Sequence, residues 1–352
     1  WHEEATSRVS GDRDPIRYDG FTRRELDKSA THGLDCTGHG EADTNVFGCK
    51  DSKFHGVRVL GKVTKLGSNH VSASDKGGIL PSLGSSHMES GDIIIVGAGV
   101  FGVSAALELR QRGHTVTLVD PGPLPHPDAS STDLSKIIRP DYGADDFYSR
   151  FALECITRWK RWNSEIGRPL YHETGFLVLA GGEMSPPGFE HDSHEVLLQL
   201  GCDVDRIDGR ELHRRFPAWP ADSYLDGYFN PTAGWAESRN VVSWLLARAV
   251  RLGVSVLETT MVHLLEKGSR VDGIVTGEGH NLHANTVIVA AGAWTPTLLP
   301  WLEPALQCVG QPVYHFLLTD PESFRGNRFP PWAADIANTG WYGFPAQPDG
   351  IL

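Results

Sequence analysis

Two hydrophobic patterns alternate from residue 92 onward. "DIIIVGAG" (92–99) is an unbroken apolar run ending in glycines, the pattern of a strand buried on both faces. "VSAALELRQRG" (103–113) places Val103, Ala106 and Ala105, Leu109 inward at helical spacing, with Gly113 as the stop. "HTVTLVD" (114–120) predicts a second strand, and the Pro/Gly-rich "PGPLPHPDA" a loop leading into "SSTDLSKIIRPDYG" (130–143). Residues 145–165 predict an amphipathic helix with Phe151, Ile156, Trp159 and Trp162 as core candidates. "ETGFLVLAGG" (173–182) predicts a strand, and "SRNVVSWLLARAVRLGVSVL" (238–257) a long helix turning into a strand at Gly253. "VDGIVTGEGHNLHANTVIVAAGAW" (271–294) predicts a hairpin and a further buried strand. Strands alternate with helices at both ends of this stretch. The expected fold class is therefore α/β, a parallel sheet interrupted by a mixed insert.

Residues 1–87 lack that patterning. They are rich in Gly, Ser, Asp, His and Lys, with only short apolar pieces such as "HGVRVLG" (55–61). The chain opens on Trp1, whereas Met88 directly precedes "ESGDIIIVGAG". Met88 is the expected natural start, and 1–87 a leader of low order outside the working fold. Within it, "DCTGHG" (35–40) followed by "HGVRVLG" resembles the histidine region of subtilisin-like proteases. "EADTNVFG" replaces the continuation after His39, and no Asp or nucleophilic Ser stands in matching context. A lone histidine performs no acyl transfer, so no protease activity is expected.

Composition narrows the partners. The 352 residues are 40% hydrophobic and 22% charged, with mean hydropathy −0.26, a size that suits two domains. A net charge of −12 leaves no basic excess to neutralise a phosphate backbone, so no nucleic-acid partner is expected. The longest apolar run, Ile93 to Leu107, contains glycines and falls short of the roughly 20 residues that span a bilayer, so no membrane partner is expected. Cys36, Cys49, Cys155, Cys202 and Cys308 are an odd set without CxxC spacing, which reads as thiols in a reducing compartment. His191 and His194 in "EHDSHE" read as solvated loop histidines, and no metal is expected.

The sharpest motif is Gly97-Ala98-Gly99-Val100-Phe101-Gly102, G-x-G-x-x-G after a strand and before a helix. Gly97 makes the tight turn, Gly99 lets a pyrophosphate approach the backbone, and Gly102 lets helix and strand pack closely. The helix N-terminus then offers unpaired N–H groups and the positive end of its dipole. Asp120, 18 residues beyond Gly102, ends the second strand where an acid accepts ribose hydroxyls. The motif predicts a dinucleotide without separating FAD from NAD.

Six stretches carry a wider resemblance: "DIIIVGAGVFGVSAALELRQRGHTVTLVD", "SSTDLSKIIRPDYG", "YHETGFLVLA", "AGWAESRNVV", "TVIVAAGAW" and "TGWYGFP". In this order they resemble FAD-dependent amine oxidases of the D-amino-acid-oxidase superfamily, nearest the sarcosine oxidase and fructosyl amino acid oxidase branch. The resemblance implies an extended FAD, held by Gly97, Gly99, Val100, Phe101, Gly102 and Asp120 at its adenine end. It places Ser130, Ser131 and Lys136 on the segment passing the flavin ring, and Gly292 where a later strand comes close to the cofactor. Lys136 matches the cation held against the flavin, where a fixed positive charge stabilises negative charge developing on the ring. Arg139 matches the residue that grips the substrate carboxylate in sarcosine oxidase, a task suited to a planar fork. Pro140 disfavours helix at Arg139. Thr132 stands where sarcosine oxidase has a histidine.

The implied architecture is a Rossmann-like FAD-binding domain (88–144 and 232–303) with an inserted mixed α+β substrate domain (145–231 and 304–352). The family continues past "WYGFPAQPDGIL" with a cysteine that bonds the flavin and a glycine-rich loop, so the resemblance implies a fold incomplete at the C-terminus. The implied activity is oxidation of the C–N bond of a secondary-amine amino acid (sarcosine-, fructosyl-amino-acid-, pipecolate- or saccharopine-like). Hydride passes to the flavin, the imine hydrolyses, and dioxygen becomes hydrogen peroxide. Two alternatives stand beside it: a flavin-dependent dehydrogenase using another electron acceptor, and a non-catalytic, truncated or misassigned gene product. The expected partners are a small amine and dioxygen, for a monomer in the cytoplasm or peroxisome.

Overall fold

The computed structural model describes residues 92–347 apart from 221, 311 and 312, together with the backbone of 46–47 and 58–61. The histidine segment around His39, Met88, and most of the leader lie outside the described residues. The two described leader pieces, β1 (Val46–Phe47) and β2 (Arg58–Gly61), pair antiparallel.

The first motif folds as predicted. β3 (Ile93–Val96) leads through the glycine turn into α1 (Val100–Gln111) and returns as β4 (Val116–Asp120). A long excursion follows: β5 (Lys136–Ile138), α2 (Asp146–Ile166), β6 (Tyr171–His172), β7 (Phe176–Ala180) and α3 (Phe189–Gln199). It continues with β8 (Asp205–Asp208), α4 (Gly209–Arg215), β9 (Asp226–Asn230) and β10 (Gly234–Ala236). The chain then rejoins the first layer with α5 (Ser238–Arg251) and β11 (Ser255–Glu258). β12 (Met261–Lys267), β13 (Arg270–Thr276) and β14 (Asn281–His283) precede β15 (Thr286–Val289) and α6 (Thr295–Leu298). The described chain closes with β16 (Tyr314–Leu317), β17 (Trp332–Ala334), α7 (Ile336–Thr339) and β18 (Trp341–Gly343).

The parallel sheet has the order β11-β4-β3-β15. Its unbroken apolar strands are explained by cover on both faces. Ile93, Ile95, Val116 and Leu118 pack with Val103, Ala106 and Leu107 of α1 and Val241, Leu245 and Ala249 of α5. On the opposite face Ile94, Val96 and Val119 meet Met261, Ile274 and Leu282 of the antiparallel β12-β13-β14 meander. The inserted layer is a five-stranded sheet, β18-β17-β7-β9-β8, whose central β7 is buried throughout. A three-stranded β5-β10-β6 sheet joins the excursion to the first layer, and β16 pairs with β2.

Three local expectations need correction. Phe151 is 56% exposed and stacks on exposed Phe147, because α2 turns Ile156 fully inward and packs Trp159 and Trp162 only partly against the core. His191 and His194 lie in α3 rather than a polar loop, and His194 is buried with its ring 5.5 Å from that of Tyr228. β15 is only half-buried, since it is the sheet edge and pairs with β3 alone. The expected hairpin after residue 270 is present as the antiparallel pair β13-β14, and β12 from Met261 extends it to three strands.

Candidate functional site

The C-terminal ends of β3 and β4 form a corner made of backbone. Gly97 has φ +103°, and a Cβ there would stand 2.4 Å from the Ala290 carbonyl oxygen. A Cβ on Gly102 would fall 1.8 Å from the Gly97 carbonyl oxygen, so α1 crosses β3 at a distance only glycine allows. Asp120 is buried at the end of β4 and faces this corner. Its Oδ2 accepts from the Ala98 N–H at 2.8 Å, and its Oδ1 accepts from the Gly122 N–H at 3.1 Å.

The start of α1 has Gly99 as its cap, with no side-chain capping bond and no acid in the first turn. The dipole's positive end is therefore not neutralised by the helix itself. The Val100 N–H donates to the Ser131 hydroxyl at 3.2 Å, which ties the loop after β4 to the helix. A Cβ on Gly99 would meet only that hydroxyl, at 3.3 Å. Ser130 is exposed beside it. Gly292, at φ +53°, has open space where a side chain would stand. The Phe101 side chain is 82% exposed, along a groove it shares with Ala105, Ile288, Ala290 and Gly292.

The two cations of "SKIIRP" diverge. Strand side chains alternate between faces. Ile138 packs into the core around α1 and α5, while Ile137 packs with Phe176 and Val178 of the inserted sheet. Lys136 and Arg139, three residues apart, flank this alternation and meet different partners. The Lys136 ammonium donates to Asp133 Oδ2 at 2.8 Å, and the His315 Nε2 stands 4.0 Å from Asp133 Oδ1. Burial pushes the Asp133 carboxyl up, but the hydrogen bond and charge of Lys136, the Leu134 N–H and the His315 charge outweigh it and hold it low.

The Arg139 guanidinium lies instead among the rings of Tyr142, Phe176 and Phe189, at 5.1, 5.7 and 5.8 Å from their centroids. Its Nη1 is buried and has no hydrogen-bond partner among the described residues. Behind it sits Asp141, wholly buried, whose oxygens accept from the Tyr228 hydroxyl at 2.7 Å and the Asn230 amide at 3.1 Å. Burial pushes the Asp141 carboxyl up, against the charge of Arg139 and those two hydrogen bonds. Burial and the Asp141 charge drive the Tyr228 hydroxyl well above the ordinary phenol range.

The family described as FAD dependent oxidoreductase (DAO) matches residues 92–352. The chain belongs to that family. This member of the family is 29% identical over 262 residues to the monomeric sarcosine oxidase of Bacillus sp. (strain B-0618), covering 72% of this chain and 65% of that protein. It is 25% identical over 261 residues to the N-methyl-L-tryptophan oxidase of Yersinia pestis (strain Pestoides F), covering 74% and 68%. Among solved structures, the deglycating fructosamine oxidase amadoriase II of Aspergillus fumigatus superposes with a TM-score of 0.60 at 24% identity, over 76% of this chain and 63% of that chain. That last likeness is one of fold. The chain spans 65% of the length of the sarcosine oxidase it matches.

Several residues of this family member escape a reading along the sequence. Phe176, Phe189, Tyr228 and Asn230 reach Arg139 and Asp141 from β7, α3 and β9. The one local signal was the spacing of Tyr228 and Asn230, two residues apart on one face of β9. Asp133 was adjacent to the quoted cations but carried no pattern of its own.

Proposed function

We propose that this chain carries the FAD-binding and substrate-gripping core of an oxidase acting on the C–N bond of a secondary-amine amino acid, with dioxygen leaving as hydrogen peroxide. The observation that carries the reading is the buried, unpartnered Nη1 of Arg139. A buried donor without an acceptor is costly, and a guanidinium is matched best by a planar anion. A substrate carboxylate supplies that anion. The matched relatives are named for sarcosine and N-methyl-L-tryptophan, which directs the choice to N-alkylated amino acids.

The cofactor half is supported by fit. The Cβ-free approach at Gly99, the open space at Gly292 and the uncompensated start of α1 suit an extended dinucleotide diphosphate. Bound there, FAD supplies the two-electron acceptor, and the protein supplies position and charge. Gly97, Gly99, Val100 and Gly102 hold the diphosphate, and Ser131 buttresses the helix start. Lys136, oriented by Asp133, offers the fixed positive charge. The aromatic enclosure limits water around Arg139 and so strengthens its grip on an anion.

The test is to load the protein with FAD, record its visible spectrum, and add N-methyl and other secondary-amine amino acids. A yellow protein that bleaches with substrate and yields peroxide in air is expected. A colourless protein rejects the reading. Bleaching that is reversed only by an artificial acceptor, without peroxide, transfers the chain to the dehydrogenases.

A further inference from the structure

Arg139 shares its enclosure with a second charge. Asp141 is separated from it in the chain by Pro140 alone. Asp141 is wholly buried, as are Tyr228 and Asn230 of β9, which donate to its two oxygens at 2.7 and 3.1 Å. Ser193 of α3, also buried, hydrogen-bonds the Tyr228 hydroxyl and accepts from the Gly143 N–H at 2.7 Å. The titratable groups around this cluster are few. Burial pushes the Asp141 carboxyl up, with the charge of Arg139 the strongest opposing influence. Burial, and after it the Asp141 charge, pushes up both the Tyr228 hydroxyl and the Cys202 thiol. On the inward face of α3 stand Glu190 and His194, the latter with its ring 5.5 Å from that of Tyr228.

In the free protein Asp141 balances the guanidinium inside a site of low dielectric. A substrate carboxylate arriving at Nη1 puts two anions beside one cation. Like charges that close disfavour ionisation of both, and the pair gains a proton. Asp141 has the surroundings to receive it. The Tyr228 hydroxyl donates to the charged carboxylate and can accept from the protonated one, with Ser193 to take the Tyr228 proton. We propose that Asp141 is the resident counter-ion of Arg139 and takes up a solvent proton when a substrate carboxylate binds there, so that recognition of the acid is proton-coupled. The proton adds to an Asp141 oxygen, and no electron moves. This rests on the reading of Arg139 as the carboxylate grip.

The experiment is titration calorimetry on the full chain supplied with FAD, in paired buffers of different ionisation enthalpy, which counts the protons bound with the ligand. The probes are methoxyacetate, an ether isostere of N-methylglycine without the amine, and its uncharged amide. Across about pH 5 to 9, wild type should show an interval where about one proton enters with each methoxyacetate and none with the amide. Asp141→Asn keeps the shape and removes the charge. It should bind methoxyacetate without proton uptake, and about tenfold tighter than wild type above that interval. Glu190→Gln and His194→Gln should leave the uptake in place. Uptake that survives in Asp141→Asn, or vanishes in either control, overturns the assignment. Wild type that binds methoxyacetate with no proton change anywhere in the range also overturns it, while the Arg139 grip stands. That comparison of acid with amide needs no variant, so it decides even where Asp141→Asn does not fold. If methoxyacetate fails to bind wild type, or binds Arg139→Ala equally well, the carboxylate reading falls and this inference with it.

Discussion

The glycine corner and the Arg139 enclosure are built by opposite means. The corner is backbone held by backbone and one carboxylate, within residues 97–122 plus the strand end at Ala290. The enclosure is rings from β7 and α3 around the Arg139 cation that follows β5, with β9 side chains holding Asp141 behind it. At Gly97 and Gly102 the corner tolerates no added atom, whereas the enclosure depends on charge and on what arrives from distant strands. The difference teaches where each is fragile.

The largest effect is expected from adding a single methyl group to the corner. Gly102→Ala places a Cβ 1.8 Å from the Gly97 carbonyl oxygen, so α1 must leave β3 or the turn must open. A stability loss of about 3 kcal/mol is expected, read from denaturant midpoints. Gly113→Ala is the control, since that site has φ +93° but nothing within 4 Å, and only left-handed backbone strain of about 1 kcal/mol applies. Equal losses in the two variants would show that the close crossing does not matter.

In the enclosure the expectation concerns recognition rather than folding. Arg139→Ala should raise KM for carboxylate substrates about 100-fold more than for their decarboxylated analogues, the scale of a buried charge pair that loses one partner. Arg139→Lys should recover little, because an ammonium cannot replace the planar fork. An equal rise in KM for both substrate classes would remove the carboxylate assignment.

The smallest effect tests whether Lys136 and Asp133 are paired as the geometry has them. The Asp133 carboxyl is held below its ordinary value, so its contribution to stability is present above about pH 4 and is lost as pH falls through the lowered value. Lys136→Met should cost less than about 1 kcal/mol at neutral pH, given that the lysine side chain is 42% exposed, and the cost should vanish in acid. A cost that persists unchanged in acid would show that the pair is not the cause. Together these variants separate backbone fit, ligand charge and a half-exposed ion pair.

Much of the first layer was legible along the chain. The run at 92–99, the helix ended by Gly113 and the acid at 120 are local signals, and they fold where the spacing places them. The insert was less legible. Its central strand β7 was recognised from "FLVLA", but β8 and β9 are short: β9 pairs with β7 across 46 to 54 positions, and β8 pairs with β9. Phe151 shows the limit of helical periodicity, since spacing marks an apolar face without saying how far along the helix the neighbouring layer reaches.

By itself the sequence determined the glycine corner, the helix start that faces it and the kinship with FAD-dependent oxidoreductases. Those properties follow from backbone freedom and periodicity within a few residues. Tertiary structure decided that Lys136 and Arg139 part company across β5, that Arg139 is enclosed by aromatic rings, and that Tyr228 and Asn230 hold Asp141 behind it. These are meetings between strands far apart in the chain, set by sheet order and burial, which no local spacing encodes.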